Sequence, residues 1–452
     1  MKISYNPLDI CTRSYRTFTV LYDLRNRQLL QLEDVSADIW GHIVHEESTT
    51  LDKIINFISG LYECNADEIA DDIIDFLQDL YAAGILQFDA KYCQNTDNDP
   101  QTTHPITEND DFEGQIIGAL ETENQLYSAT IEMTYACNEK CIHCYAHYPT
   151  SDNSSNHLTL AQYQEFIDEL YSNGALHIAF TGGDPFMNPN FLELFKYSRL
   201  KGFVTDIFTN GLYLSNHPSE LNEILALRPR AFYMSLYGSS AEIHDSITGI
   251  PGSFEKTISV VKTIHSADIP VVFNVMLLAE NYNDLDCIIS LATNLGVEYR
   301  VSMSLIYRND GSNSPMGHFI GDKRKIKKVL RTLRSKVYSI DRPVENKLEP
   351  SEFMCGAGVT SLCLSPDGTV FPCVSLKTPL GNINASNVSE IWSGDARKSI
   401  VSSLRWDNTK ECKSCPKQNS CPHCAGMSQA ESGDMFACNT CDKLIAECIS
   451  EL

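Results

Sequence analysis

One short run, Cys137-Asn-Glu-Lys-Cys141-Ile-His-Cys144, constrains this chain more than any other stretch. Three thiolates at C-x-x-x-C-x-x-C spacing offer three corners to a cubane iron–sulfur cluster, whose irons are ordinarily held by Cys. Three local ligands leave one iron open, and an open coordination position is a place for chemistry. A structural zinc site is the competing reading. Such sites are closed by four protein ligands, commonly in paired C-x-x-C units. Only His143 or His147 stands near enough in sequence to close one here.

The cysteines elsewhere follow the same logic. The start, Met1-Lys-Ile-Ser-Tyr-Asn-Pro, lacks the apolar core and cleavage site of a signal peptide, so a reducing cytoplasm is expected. Disulfides are rare there. The 17 Cys are also clustered: three in the opening motif and nine from Cys355 to Cys441. Clustering favours metal ligation. Cys11, Cys64, Cys93, Cys287 and Cys448 stand alone and read as small apolar residues. The formal charge of −24 argues against nucleic acid or an anionic membrane surface as partner. No apolar run reaches the ~18 residues of a membrane span. A length of 452 residues suits two to four domains.

Residues 1–90 read as a compact α+β domain of winged-helix-like type. Thr17–Tyr22 and Gln28–Leu32 are strand candidates around a turn. Three helical patterns follow, capped at Ser36, at Thr49 or Thr50, and beginning at Ala66. Residues 91–127 carry Asp97, Asp99, Glu108, Asp110, Asp111 and Glu113 but no cation after Lys91, which predicts an extended, flexible linker.

From 128 to 345 strands alternate with helices. Ala129–Thr134, His177–Thr181, Val204–Thr209, Phe232–Leu236, Val271–Leu277 and Tyr299–Leu305 are the strands. Six βα units imply a parallel sheet curved into a partial barrel, with function at the carboxyl ends of its strands. The three-Cys loop begins just after the first strand. Residues 323–336 place eight cations around an apolar stripe, a pattern for a solvated amphipathic helix or, less favoured, a patch for an acidic electron donor. Residues 346–452 are Cys-rich and loop-rich, with Pro366-Asp-Gly368 predicting a hairpin between Leu362–Leu364 and Val370–Phe371.

With the strands placed, the opening motif resembles the signature of the radical S-adenosylmethionine superfamily, whose fold is a partial (β/α)6 TIM-like barrel. The resemblance implies a four-iron cluster on Cys137, Cys141 and Cys144. It implies S-adenosylmethionine chelating the open iron, an electron from the cluster cleaving its carbon–sulfur bond, and a 5′-deoxyadenosyl radical as product. Thr181-Gly182-Gly183-Asp184-Pro185 would hold the methionyl ammonium, although the family usually has Glu in place of Asp184. Thr209, Ser235 (as a ribose contact), Asn274 and Tyr145 are the other implied contacts.

The C-terminal cysteines resemble the auxiliary-cluster extension called SPASM. That likeness implies one auxiliary cluster on Cys355, Cys373 and Cys424, with Cys363 a candidate fourth ligand. It implies another on Cys412, Cys415, Cys421 and Cys438, with Cys441 competing for the last place, and so three four-iron clusters in all. Zinc remains the alternative at the paired C-x-x-C units. Residues 1–90 resemble the PqqD-like recognition domain of ribosomal-peptide biosynthesis, through Val35–Trp40 and Phe76–Leu86. In that family a leader peptide adds a strand to an exposed sheet edge.

The combination resembles maturases of ribosomally made peptides, especially thioether-forming ones of sactipeptide and ranthipeptide type. It implies a precursor peptide as substrate and a flavodoxin- or ferredoxin-like electron donor. The alternatives are a carbon–carbon or carbon–oxygen crosslink, formylglycine-type oxidation, and a non-enzymatic peptide-binding scaffold holding zinc.

Overall fold

The computed structural model describes residues 2–46, 48–88, 112–146, 157–336, 351–409 and 411–452. The chain opens with β1 (Lys2–Ser4), β2 (Ile10–Ser14), β3 (Phe18–Asp23), β4 (Gln28–Glu33), α1 (Asp34–Glu46), β5 (Thr49–Thr50), α2 (Leu51–Tyr62), α3 (Ala66–Ala82) and β6 (Gln87–Phe88). β2, β3 and β4 form an antiparallel sheet with β3 in the middle, and β5-β1-β6 form a second, smaller one. Thr50 caps α2 by accepting from the Lys53 amide. Ser36 does not cap α1; it lies inside the first turn, and its hydroxyl donates to the Glu33 carbonyl.

All six residues of β3 are buried, which a half-solvated sheet would not allow. Alternation sends Leu21 towards α1–α3, with Ile39, Trp40, Ile54 and Leu77. Phe18, Val20 and Tyr22 point the other way, onto Ile116, Leu120, Tyr127, Leu176 and Val204. Ile116 and Leu120 belong to α4 (Phe112–Glu123), a helix inside the stretch expected to be a flexible linker. Their i,i+4 spacing gives one apolar stripe, and burying two such side chains, at ~1.5–3 kcal/mol each, outweighs the repulsion of the few acids around them. The linker reading of 91–111 lies outside the described residues. The first domain is therefore seated on the barrel. The Arg13 Nε donates to the Ala175 carbonyl at 2.7 Å, and Arg199 Nη2 donates to the Leu8 carbonyl at 2.7 Å.

The barrel strands are β7 (Ser128–Glu132), β8 (His177–Thr181), β9 (Val204–Thr209), β10 (Ala231–Ser235), β11 (Val271–Met276) and β12 (Glu298–Ser302). They run parallel in simple order, as expected. Between them lie α5 (Leu160–Ser172), α6 (Phe191–Leu200), α7 (Leu212–Asn216), α8 (Pro218–Ala226), α9 (Ala241–Thr248), α10 (Ser253–Ser266) and α11 (Leu285–Leu295), followed by α12 (Lys323–Lys336). The Cys-rich segment grows out of the same sheet. β13 (Ser361–Leu364) runs parallel to β7, with Cys363 opposite Thr130. The expected hairpin pairs it with β14 (Thr369–Phe371), and β15 (Gly381–Asn382) closes the edge. The last helices are α13 (Val388–Ser393), α14 (Asp395–Ser403), α15 (Ala425–Ser432) and α16 (Thr440–Ser450). One apolar core joins barrel and Cys-rich segment, from Ile131 and Phe273 to Leu364, Trp392 and Ile445. Among the described residues no helix is long and apolar enough to cross a membrane.

Candidate active site

The carboxyl ends of the barrel strands surround a cavity of about 410 Å³, within the range of small-molecule sites. Cys137, Cys141 and Cys144 line it, in the loop after β7. The loop is strapped to α9: the Lys140 amide donates to the Thr248 carbonyl at 2.8 Å and the Ile142 amide to Ile247 at 3.1 Å. The turn after β8 presses on its other side. A Cβ at Gly182 would stand 2.2 Å from the Thr134 carbonyl oxygen, and one at Gly183 2.2 Å from that of Ala136. The glycine pair thus admits the Cys-bearing loop itself at close quarters while also lining the cavity.

The thiols fit a cluster. Cys137 keeps its open surface towards the cavity while lying deep in the barrel mouth. Burial pushes its thiol up to about 12 and raises that of Cys141 as well, each reinforced by the charges of neighbouring thiols and Glu139. A metal that takes the thiolates would displace these protons. Among the described residues no three metal-binding side chains converge on a single-ion geometry. A cluster in which each iron takes its own thiolate does not require that convergence. His147 lies outside the described residues, and His143 is edge-on to Tyr237 with centroids 4.6 Å apart.

Of the other implied contacts, Gly182, Gly183, Thr209, Ser235, Asn274 and Tyr145 all line the cavity. Asp184 does not. It is fully buried, and its carboxylate accepts from the Thr209 hydroxyl at 2.7 Å and from the amides of Asn210 and Phe186, both at 3.1 Å. With three donors on its oxygens, Asp184 holds the β8 and β9 loops together behind the cavity wall where the resemblance places its ammonium contact. The signal was in the sequence: Asp followed by Pro is a cap followed by the first residue of a helical turn. Asn210, Tyr237, Arg300 and Ser302 also line the cavity and were not anticipated. Asn210 Nδ2 donates to Asn138 Oδ1 at 2.7 Å and lies 3.7 Å from Cys137 Sγ. Arg300 stacks over Tyr233, its guanidinium 5.1 Å from the ring centre. The period of two along β12 aims Arg300 and Ser302 the same way.

Beside this site stands an ion pair with one buried and one half-buried partner. Glu132, fully buried at the end of β7, accepts from Lys377 Nζ at 2.7 Å and from the Tyr135 hydroxyl at 3.2 Å. Cys363, fully buried on β13, turns its thiol to the same carboxylate at 3.9 Å. Its charged neighbours are Glu132, Lys377 and Cys373.

The C-terminal thiols fall into two groups. Cys355 feels the charges of Cys373 and Cys424, and burial pushes its thiol up to about 11. Cys412, Cys415, Cys421 and Cys438 together line a separate cavity of about 100 Å³, with Trp406, Lys417, Lys443 and Glu447. A space ringed by four thiols fits a cluster with a full set of ligands. Cys441 is not part of that ring. Its thiol donates to the Leu305 carbonyl at 3.6 Å among Tyr237, Ile247 and Leu278, and no thiol is among its charged neighbours. Its place in the first turn of α16 turns it to the barrel, leaving Cys438 beside Cys412.

Three sequence families match in chain order. Residues 19–86 match coenzyme PQQ synthesis protein D (PqqD), residues 131–292 the radical SAM superfamily, and residues 355–416 the iron–sulfur cluster-binding domain SPASM. The AdoMet-dependent heme synthase of Methanosarcina barkeri is 28% identical over 327 residues, covering 67% of this chain and 92% of that protein. The antilisterial bacteriocin subtilosin biosynthesis protein AlbA of Bacillus subtilis is 27% identical over 286 residues, covering 59% of this chain and 62% of that protein. Streptococcus suis SuiB bound to its precursor peptide SuiA has the same fold, with a TM-score of 0.62 at 15% identity over 98% of this chain and 100% of that one.

Proposed function

We propose that this chain, a radical SAM/SPASM enzyme that carries a PqqD domain, is a maturase installing intramolecular crosslinks, chiefly Cys thioethers, in a ribosomally made precursor peptide. The observation that carries this reading is a conjunction. One chain joins a three-thiol cavity at the strand ends to an antiparallel sheet whose last strand, β4, bonds to β3 alone among the named strands.

That open edge of β4 suits a leader segment adding a strand, with main-chain hydrogen bonds giving affinity and side-chain pockets giving selectivity. Cys137, Cys141 and Cys144 would hold the first cluster, and Gly182, Gly183, Thr209, Ser235, Asn274 and Tyr145 would line its cosubstrate. When bound, S-adenosylmethionine at the open iron supplies a 5′-deoxyadenosyl radical that takes a hydrogen atom from carbon, and auxiliary clusters supply a place for the electron left over. Around that chemistry the barrel wall orients the peptide and excludes water. Cys355, Cys373 and Cys424 would hold one auxiliary cluster, with Cys363 a candidate for its fourth ligand, and the ring of Cys412, Cys415, Cys421 and Cys438 the other.

The sheet is seated on Leu176 and Val204, at the amino ends of the barrel strands, while the cavity lies at their carboxyl ends. A tethered peptide must therefore pass the length of a strand, ~17–20 Å, which takes at least ~6 extended residues between leader and modified core.

Each thioether removes two hydrogens from the peptide, one carried off by 5′-deoxyadenosine and one lost as the thiol proton. Anaerobic co-expression with the precursor, read by intact mass and free-thiol count, tests the proposal. Loss of two hydrogens and one thiol per crosslink is the expected result. Mass loss with all thiols intact would transfer the assignment to carbon–carbon or carbon–oxygen crosslinks, and an unchanged mass would end it.

A further inference from the structure

We propose that α12, together with the rim of the Cys412–Cys438 cavity, is the docking surface for a strongly acidic one-electron carrier protein, of flavodoxin or ferredoxin class. The inference rests on the reading above only in requiring electrons from outside.

The chain is acidic, with a formal charge of −24, so an acidic carrier is repelled by most of its surface. α12 is the exception: its 14 residues, KRKIKKVLRTLRSK, carry eight cations and no carboxylate. Ile326, Val329, Leu330 and Leu333 form its buried face. Some cations serve the fold. Lys323 and Lys327 meet Glu451 at 3.2 and 2.6 Å, and Lys323 also meets Glu447 at 2.8 Å, pinning α12 to α16. Lys336 meets Asp286 at 2.7 Å. Others have no such duty. Arg324, Arg331 and Arg334 are exposed, and no ion pair involves them among the described residues. Arg324, Lys328 and Arg331 stand at i, i+4 and i+7, one face of the helix. A solvated helix needs no such excess, since unopposed like charges at helical spacing destabilise it.

The position of that face gives it a purpose. α16, to which α12 is pinned, also walls the four-thiol cavity through Ala446 and Glu447. Glu447 meets Lys417 at 3.6 Å across that wall, and Lys417 and Lys443 line the same cavity. Lys323 and Lys417 thus reach Glu447 from either side, which links α12 through the end of α16 to the rim of the four-thiol cavity, where Lys417 and Lys443 stand beside Glu411 and Glu447. A carrier held there passes one electron to the enzyme and is itself oxidised by one; no bond is made or broken.

The test uses the reconstituted enzyme and an oxidised bacterial flavodoxin, with affinity measured by calorimetry at roughly 50 and 500 mM salt, where screening lengths differ several-fold. Arg324→Glu with Arg331→Glu should weaken binding about tenfold or more at low salt and little at high salt. Flavodoxin-driven formation of 5′-deoxyadenosine should fall in step, while the dithionite-driven rate stays unchanged. The same charge change placed elsewhere, Lys256→Glu with Lys398→Glu, should leave the affinity within about twofold. Unchanged affinity in the α12 variant, an equal loss in the control, or salt-independent binding would overturn the proposal. The dithionite arm keeps its failure separate from failure of the crosslinking reading.

Discussion

The Asp442 carboxylate accepts the Ser304 hydroxyl at 3.0 Å, joining α16 to the wall of the main cavity. Its other oxygen accepts from the Cys424 amide at 3.0 Å and from Asn439 Nδ2 at 2.6 Å. One buried carboxylate therefore ties the wall of the main cavity to the backbone of Cys424, a proposed cluster ligand. Asp442→Asn keeps the volume but turns an amide N–H towards donors. We expect a cost of about 1.5–3 kcal/mol, the range for hydrogen bonds to a charged group. It should be read as a lower unfolding midpoint together with faster loss of auxiliary iron on dilution. A variant with wild-type midpoint and iron retention would contradict this role.

Cys438, just before α16, and Cys441, in its first turn, are three residues apart but face different surroundings, a thiol ring and an apolar cluster respectively. Cys438→Ala should lower iron by up to ~4 atoms per chain, the content of one four-iron cluster. Cys441→Ala should leave the iron content as it is and cost stability alone. Iron analysis of the two variants decides between them, and the reverse pattern would exchange their roles.

Asp206 carries the acid sensitivity of the barrel floor. Burial alone would raise its carboxyl, but the His177 ring and the Arg230 guanidinium outweigh burial and hold it at about 2, below the ordinary 3.8. Arg230 also meets Glu113 of α4 at 3.7 Å, so the same group helps seat the first domain. A depressed folded-state carboxyl stabilises above the unfolded-state pKa and ceases to do so as pH falls through the folded one. The contribution, about 2 kcal/mol, should therefore be full near neutrality and vanish between about pH 4 and pH 2. Unfolding of cluster-free protein, followed by circular dichroism across that range, should show a gap between wild type and Asp206→Asn that closes with acid. A gap independent of pH would exclude this assignment.

Where sequence and structure agree, a short-range pattern decided the outcome. Cys137–Cys144, the six strands and the Pro366-Asp-Gly368 hairpin are set by spacing, period and turn chemistry, all visible in one dimension. Where they part, a partner distant in sequence decided it. β2 is not among the expected strands, which begin at Thr17; its Arg13 guanidinium is buried between Tyr171 and the Ala175 carbonyl, supplied by the barrel. α4 was hidden by its acids because the surface that buries Ile116 and Leu120 comes from β3 and the barrel. Arg300 was one cation on a strand until the cavity gave it a position.

The central claim is that one chain captures a peptide at one end and modifies it by radical chemistry begun at Cys137–Cys144. Cys137→Ala, measured beside wild type under reducing anaerobic conditions with precursor and S-adenosylmethionine, tests it most directly. The account predicts that 5′-deoxyadenosine formation and loss of peptide hydrogens both stop while affinity for the leader segment is unchanged. Continued crosslinking without Cys137, or loss of leader binding along with the cluster, would contradict it.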